Sequence, residues 1–401
     1  MNLLFYCSEY PPYKTGGIGT VTKIVAEELV RRGHIVSVIG YYPDIPEKFV
    51  DELINGVRVV RYNLGYRNSH IKDRLFVMLR KLGISGFITK RELSFIEDKI
   101  EAYIVDNKID VLELTDYYPF VLCNSKLEFK KFSVPTVLRI HGSASFIQNL
   151  SGRGKSCYDE NDQRHFQRCD HVSAVSRYSL NYVKNKFHLP AIQTWNVIYN
   201  PIEDSFLKKN EPVNNDHVLF IGKLTETKGC YSLVRAFNIC AEKHPTLQLK
   251  LAGKGDETKL KELIDPKYID RVHFLGYCDR ERIKEEIDTC AFACIPSYFE
   301  NFSMVPLEIM SRAKAIIYTD RTSGNEIISD GYNGFLVDPE DIQLIAEKMQ
   351  VLLKNQDLCQ SMAVQAYGCI SDKFILSRVV SQQEMYYSSL ISCNEKAFDN
   401  K

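Results

Sequence analysis

Short apolar runs recur along the chain, and each is followed by a loop and then by apolar positions at helical spacing. The first run, residues 2–8 (NLLFYCS), predicts a strand. Val21, Ile24, Val25 and Leu29 then predict a helix that ends at Arg31 and Arg32, with Gly33 just beyond. Residues 35–39 predict the next strand and complete a βαβ unit. Further strands are expected at 109–114, 134–140, 168–176 and 197–201, with a helix from Arg177 onward. A second series begins at Val218. Its strands are expected at 218–221, 247–252, 272–275, 291–296, 315–319 and 335–337. Helices are expected at 231–242 and 279–289, and two more, at 341–354 and 377–391, close the chain. Alternation of this kind implies parallel sheets covered by helices on both faces. A polar stretch, residues 208–216 (KKNEPVNND), separates the two series. The expected architecture is therefore α/β, with two doubly wound, Rossmann-like domains facing a central cleft. The domains are expected at 1–207 and 208–375, and a final helix at 376–401 is expected to pack back on the first.

Length agrees with two domains, since 401 residues exceed one ordinary core. Lysine and arginine number 51 and so do aspartate and glutamate, so no global field favours nucleic acid, and no nucleic-acid partner is expected. No apolar run approaches the ~18 residues of a membrane-spanning helix, and the first residues read as a strand rather than a signal peptide. Twelve cysteines are scattered singly, without CxxC or zinc spacing, which suits a reduced, cytoplasmic chain. Cys290 and Cys294 flank an apolar strand and are expected in the core. One stretch differs in charge. Residues 66–91 hold Arg67, Lys72, Arg74, Arg80, Lys81, Lys90 and Arg91 against Asp73, with Ile71, Leu75, Phe76, Met78, Leu79 and Leu82 at helical spacing. Such a helix suits peripheral contact with an anionic inner membrane face, or equally a solvated helix packed on a core.

Chemistry gathers at the carboxyl ends of the expected strands, where open α/β sheets bind ligands. Residues 297–308 (SYFENFSMVPLE) place Glu300 on such a loop, and Pro306 suits the first turn of the next helix. Glu308 is then expected in that first turn, where the helix dipole alone would also favour an acid. Residues 222–229 (GKLTETKG) carry Lys223 and Lys228 beside Gly222 and Gly229 on a strand-to-helix loop. Two such lysines suit a diphosphate, although lysines on loops are usually only solvated. His141-Gly142 ends another strand, a position that makes an otherwise ordinary histidine a candidate. Gly16, Gly17 and Gly19 (GGIG) form a glycine-rich first turn but not G-x-G-x-x-G, which disfavours NAD. Gly154-Lys155-Ser156 lacks the P-loop glycine, since position 149 is Asn149.

The ordered set resembles the family 4 glycosyltransferases of the GT-B fold. It comprises Gly222-Lys223-Leu224 with Lys228-Gly229, Gly253-Lys254-Gly255, Phe274-Leu275-Gly276, Glu300-x7-Glu308, Glu326 and Gly331-x2-Gly334. The GGIG loop and His141-Gly142 match the acceptor-side pattern of that family. The resemblance implies a retaining transferase that moves a sugar from a nucleotide-sugar donor to a glycan or lipid-linked acceptor, in surface polysaccharide or glycolipid synthesis. It implies no cofactor and no metal, and the sequence has no D-x-D. By the same resemblance, Lys223 and Lys228 face the diphosphate and Glu308 the ribose. Glu300 and the backbone of Asn301, Phe302, Ser303 and Met304 orient the donor sugar, with Gly276 beside the nucleotide. His141 lies near the reacting carbon, and Gly16 and Gly17 border phosphates and acceptor. The catalytic set is then His141, Lys223, Lys228 and Glu300. The chain departs from the family at Lys223, often Arg, at Asn301, often Gly, and at Ala313-Lys314-Ala315, usually Gly-Lys-Pro. The alternatives on the same fold are a nucleotide-sugar epimerase and a non-catalytic sugar-nucleotide-binding protein.

Overall fold

The computed structural model describes residues 1–13, 16–42, 45–63, 85–117, 127–150, 156–209 and 217–399. Two compact units form, Met1–Pro201 with Leu376–Lys401, and Ile202–Ile375.

The first unit is built on an eight-stranded sheet. Its strands are β1 (Asn2–Tyr6), β2 (Ile35–Tyr41), β3 (Phe49–Ile54), β4 (Val57–Tyr62), β5 (Val111–Thr115), β6 (Thr136–Ile140), β7 (His171–Ala174) and β8 (Thr194–Val197). They lie in the order β3-β4-β2-β1-β5-β6-β7-β8. Every neighbouring pair is parallel except β3–β4. The order reverses between β1 and β5, so the loops after those strands flank the switch point of this unit. Helix Gly17–Arg31 buries Val21, Ile24, Val25 and Leu29, the stripe that the spacing predicts.

The β3–β4 hairpin was not among the expected elements. Its turn is Asn55-Gly56, with φ of 49° and 84°, the left-handed pair that two-residue hairpins require. Strand β3 is an edge whose residues alternate between exposed and half-buried, so it carries no apolar run. The strand expected at 197–201 lies earlier, at Thr194–Val197, because the ladder with β7 ends where Ile198 N–H meets the Ala174 carbonyl at 3.0 Å. Of the basic stretch, residues 66–84 lie outside the described residues. Lys90 and Arg91 belong to helix Ser85–Asn107 and are exposed, while its Leu93, Ile96, Ile100 and Ile104 join the core.

Helix Leu376–Asp399 belongs to this first unit. Tyr387 donates to the Glu113 carboxylate on β5 at 2.6 Å, and Arg32 meets Glu384 at 2.5 Å.

The second unit has a six-stranded parallel sheet. Its strands are β9 (His217–Ile221), β10 (Gln248–Ala252), β11 (Val272–Gly276), β12 (Phe292–Ile295), β13 (Ala315–Thr319) and β14 (Phe335–Val337). The order is β11-β10-β9-β12-β13-β14, reversing between β9 and β12. Strands β9, β12 and β13 are buried throughout, as their unbroken apolar runs imply, and Cys290 and Cys294 are core residues. Helix Gln356–Lys373 was also unexpected. It buries Met362, Ala363, Ala366 and Ile370, a stripe half made of alanine that shows weakly against its polar neighbours.

Candidate functional site

The switch point of the second unit lies between β9 and β12, so the loops leaving those two strands meet there. Gly222 directly follows strand β9, and its N–H reaches the Ala252 carbonyl at 2.9 Å. The chain continues through Lys223 into a short 3-10 turn, Glu226–Lys228, and then Gly229. Gly229 has φ 75°, and a β-carbon there would stand 1.8 Å from the Pro296 carbonyl oxygen. Only glycine permits this approach of one loop to the backbone of the other. Further bonds stitch the two loops together. Tyr298 N–H meets the Thr227 carbonyl at 3.0 Å, and the Ser297 hydroxyl meets the Lys228 carbonyl at 3.4 Å.

This stitching brings Lys228 Nζ to 2.7 Å from Glu300 Oε1, which also accepts from the Ser297 hydroxyl at 3.1 Å. The Thr322 hydroxyl donates to the Glu300 backbone carbonyl. Thr322 has φ 61°, an uncommon conformation for a β-branched residue, so the loop after β13 is held under strain against the loop after β12. Glu300 is nearly buried, while Lys228 keeps 33% of its side chain exposed. A carboxylate is thus fixed inside, beside an ammonium that still faces water.

Helix Met304–Met310 starts two residues before Pro306, because Ser303 caps it, accepting from Val305 N–H at 3.4 Å. Pro306 remains in the first turn, but Glu308 falls in the second turn rather than the first. The dipole explanation for Glu308 is correspondingly weaker. Among the described residues no hydrogen bond reaches its carboxylate. Loss of water pushes that carboxyl above its ordinary value, and the Arg280 guanidinium pulls it down. Lys223 is exposed and its ammonium has no partner among the described residues. Asn301 and Met304 are half-buried. The Phe302 ring packs 5.8 Å from the Phe374 ring, so its side chain belongs to the core and only its backbone is left for a ligand. Gly276 ends β11, and its carbonyl accepts from Gly253 N–H at 2.8 Å.

In the first unit, His141 directly follows β6. Its N–H and that of Gly142 donate to the two oxygens of Asp116, at 2.9 and 2.8 Å. Burial holds the His141 imidazole well below its ordinary pKa, and Arg139 adds to the effect, so the ring is neutral at neutral pH. At the other side of this unit's switch point, Gly16 precedes helix Gly17–Arg31. A side chain at position 16 would meet the Glu9 carboxylate at 2.5 Å, whereas Gly17 faces open space.

The expected residues therefore assemble in two groups. One joins Lys228 and Glu300, with Gly222, Lys223 and the chain from Asn301 to Ser303 on the same two loops and Met304 and Glu308 on the helix that follows, while Gly276 stands at the end of β11, on neither loop. The other places His141 and the glycine pair on the first unit. Asp116, Ser297 and Thr322 were missed. Asp116 follows a strand end, the same signal that marked His141, whereas nothing in the sequence marks Ser297 or Thr322. Among the described residues, no group of three or more His, Cys, Asp or Glu could hold a metal, and no helix is long and apolar enough to cross a membrane.

Comparison with known proteins covers nearly the whole chain. Residues 15–206 match the family described as Glycosyltransferase Family 4, and residues 201–368 match Glycosyl transferases group 1. An uncharacterized glycosyltransferase of Methanocaldococcus jannaschii is 29% identical over 86% of this chain and 87% of its own. In structure, a sucrose-phosphate synthase from Thermosynechococcus elongatus aligns with a TM-score of 0.76 at 17% identity, covering 98% of this chain and 99% of that one. Anabaena HepE, solved in complex with UDP, aligns with a TM-score of 0.69 at 18% identity, covering 97% of this chain and all of its own.

Proposed function

The chain belongs to the group 1 and family 4 glycosyltransferases, and from that premise we propose that it is a retaining transferase using a nucleotide-sugar donor. The observation that carries the reading is the Lys228–Glu300 pair at the β9/β12 switch point. Lys223 and Lys228 neutralise the diphosphate and stabilise it as a leaving group. Glu308, whose carboxylate has no other hydrogen-bond donor among the described residues, accepts from the ribose hydroxyls. Glu300 and the backbone from Asn301 to Met304 orient the sugar. On the first unit, Gly16 and Gly17 border the phosphates and the acceptor, and neutral His141 accepts or donates a hydrogen bond at a sugar hydroxyl near the reacting carbon.

In the transfer, the bond between the anomeric carbon and the diphosphate oxygen breaks, and its electron pair leaves with the phosphate. The acceptor hydroxyl oxygen bonds to the same face of that carbon, and its proton passes to the departing phosphate. The products are a glycosylated acceptor and a nucleoside diphosphate. The acceptor is a glycan or a lipid-linked sugar of surface polysaccharide or glycolipid synthesis. No metal is required, because the two lysines supply the charge that a divalent ion would.

The test is product analysis with sugar nucleotides and a panel of sugar and lipid-linked acceptors, UDP-glucose first because HepE is known bound to UDP. Transfer with the donor's anomeric configuration kept, read from the proton coupling at the new linkage, supports the proposal. An inverted product contradicts it. Interconversion of the sugar nucleotide without acceptor identifies an epimerase.

A further inference from the structure

The role proposed for His141 depends on where its ring is held, and the structure shows what holds it. Strand β6 delivers the chain to Ile140, and the backbone then turns sharply, with Gly142 at φ 127°. Two successive N–H groups, those of His141 and Gly142, point the same way at that turn. Two consecutive inward donors need two acceptors in fixed places. Asp116, fully buried at the end of the neighbouring β5, supplies both with one carboxylate, Oδ1 at 2.9 Å and Oδ2 at 2.8 Å. Asp116 is itself fixed, since its own N–H donates to the Arg139 carbonyl on β6 at 3.0 Å. The three bonds form a closed clasp between the ends of adjacent strands.

We propose that Asp116 is a positioning residue for transfer, acting through the His141-Gly142 turn that its carboxylate clasps. The inference rests on the reading of His141 given above. A carboxylate is the only side chain of this length that offers two acceptors and no donor. Burial, with a smaller push from nearby Asp162, raises the Asp116 carboxyl to about 7 against the downward pull of the two N–H groups. Above that pH the clasp is ionised and both bonds are charge-assisted. Asparagine has the same shape but turns one acceptor into an NH2 group that faces an N–H, so one bond is replaced by opposed donors.

The experiment is a double-mutant cycle at pH 8 with wild type, Asp116→Asn, His141→Ala and the double variant. The readout is nucleoside diphosphate released from UDP-glucose, GDP-mannose and ADP-glucose with water as acceptor, alongside the dissociation constant of each donor. Asp116→Asn is expected to lower kcat about ten- to a hundred-fold with donor affinity kept within about twofold, the scale of a misplaced reacting group. In the His141→Ala background the same change is expected to cost less than about twofold, because both act through one ring. Multiplicative losses, or an unimpaired Asp116→Asn beside a slow His141→Ala, overturn the proposal alone. Full activity in His141→Ala overturns the reading of His141, and the proposal with it. If Asp116→Asn fails to fold, Asp116→Ser, which keeps one acceptor, takes its place in the same cycle.

Discussion

The two switch points solve one problem in opposite ways. In the second unit, Lys228 and Glu300 pair side chain with side chain, and the ammonium of Lys228 remains a third exposed. In the first, the charge is the buried Asp116 carboxylate, spent wholly on backbone N–H groups. A partly exposed ammonium in such a pair can exchange its partner for an incoming anion. A buried carboxylate bound to backbone cannot do so without undoing a turn, so it shapes the site instead of meeting a ligand. On the proposed reading Lys228 binds and Asp116 positions, and both lie where the strand order reverses.

Four changes test that contrast. Lys228→Ala removes the charge proposed to face the diphosphate and leaves Glu300 with the Ser297 hydroxyl. Transfer is expected to fall about 10²- to 10³-fold, the scale for losing one preorganised electrostatic group, measured as kcat/KM for the donor. Gly229→Ala drives a β-carbon against the Pro296 carbonyl and strains a left-handed residue. A loss of about 2–4 kcal/mol is expected, read by urea unfolding.

The third change concerns pH. Asp116 is raised to about 7 and Asp162 to about 6, both mainly by burial. A carboxyl raised on folding contributes stability that is full below its unfolded value near 4, and that contribution is lost as pH rises through the folded value. His141 and His165, lowered by burial, act with the opposite sign below about 6.5. The difference between wild type and Asp116→Asn isolates the first term. The melting temperature of wild type minus that of the variant is expected to fall as pH rises from about 4 to about 7. The smallest change is Ser303→Ala, which removes the cap ahead of Glu308. It is expected to cost about 0.5–1 kcal/mol, measured by thermal unfolding.

Legibility in the sequence follows burial. Strands β9, β12 and β13 are buried throughout, and their apolar runs announce them. The edges β3 and β8 are half-exposed and carry no such run, although Asn55-Gly56 was a readable hairpin signal. At the candidate site, the strand-end rule selects Lys228, Glu300 and His141 because it depends only on local order. Contacts that close over long separations are not written locally. Glu300 and Lys228 stand 72 residues apart and meet only because Gly229 admits the Pro296 backbone. The start of the helix carrying Glu308 was misplaced because Ser303, rather than Pro306, sets it.

The central claim is that the β9/β12 switch point holds a nucleotide-sugar donor. Its most direct test is the melting temperature of the purified protein with a panel of UDP-, GDP- and ADP-sugars, repeated with Lys228→Ala and Glu308→Ala. A donor at ~100 times its dissociation constant should add about 2.7 kcal/mol. The account predicts a clear rise with at least one sugar nucleotide, lost in both variants. A folded protein that no sugar nucleotide stabilises, or a rise that survives both substitutions, would contradict it.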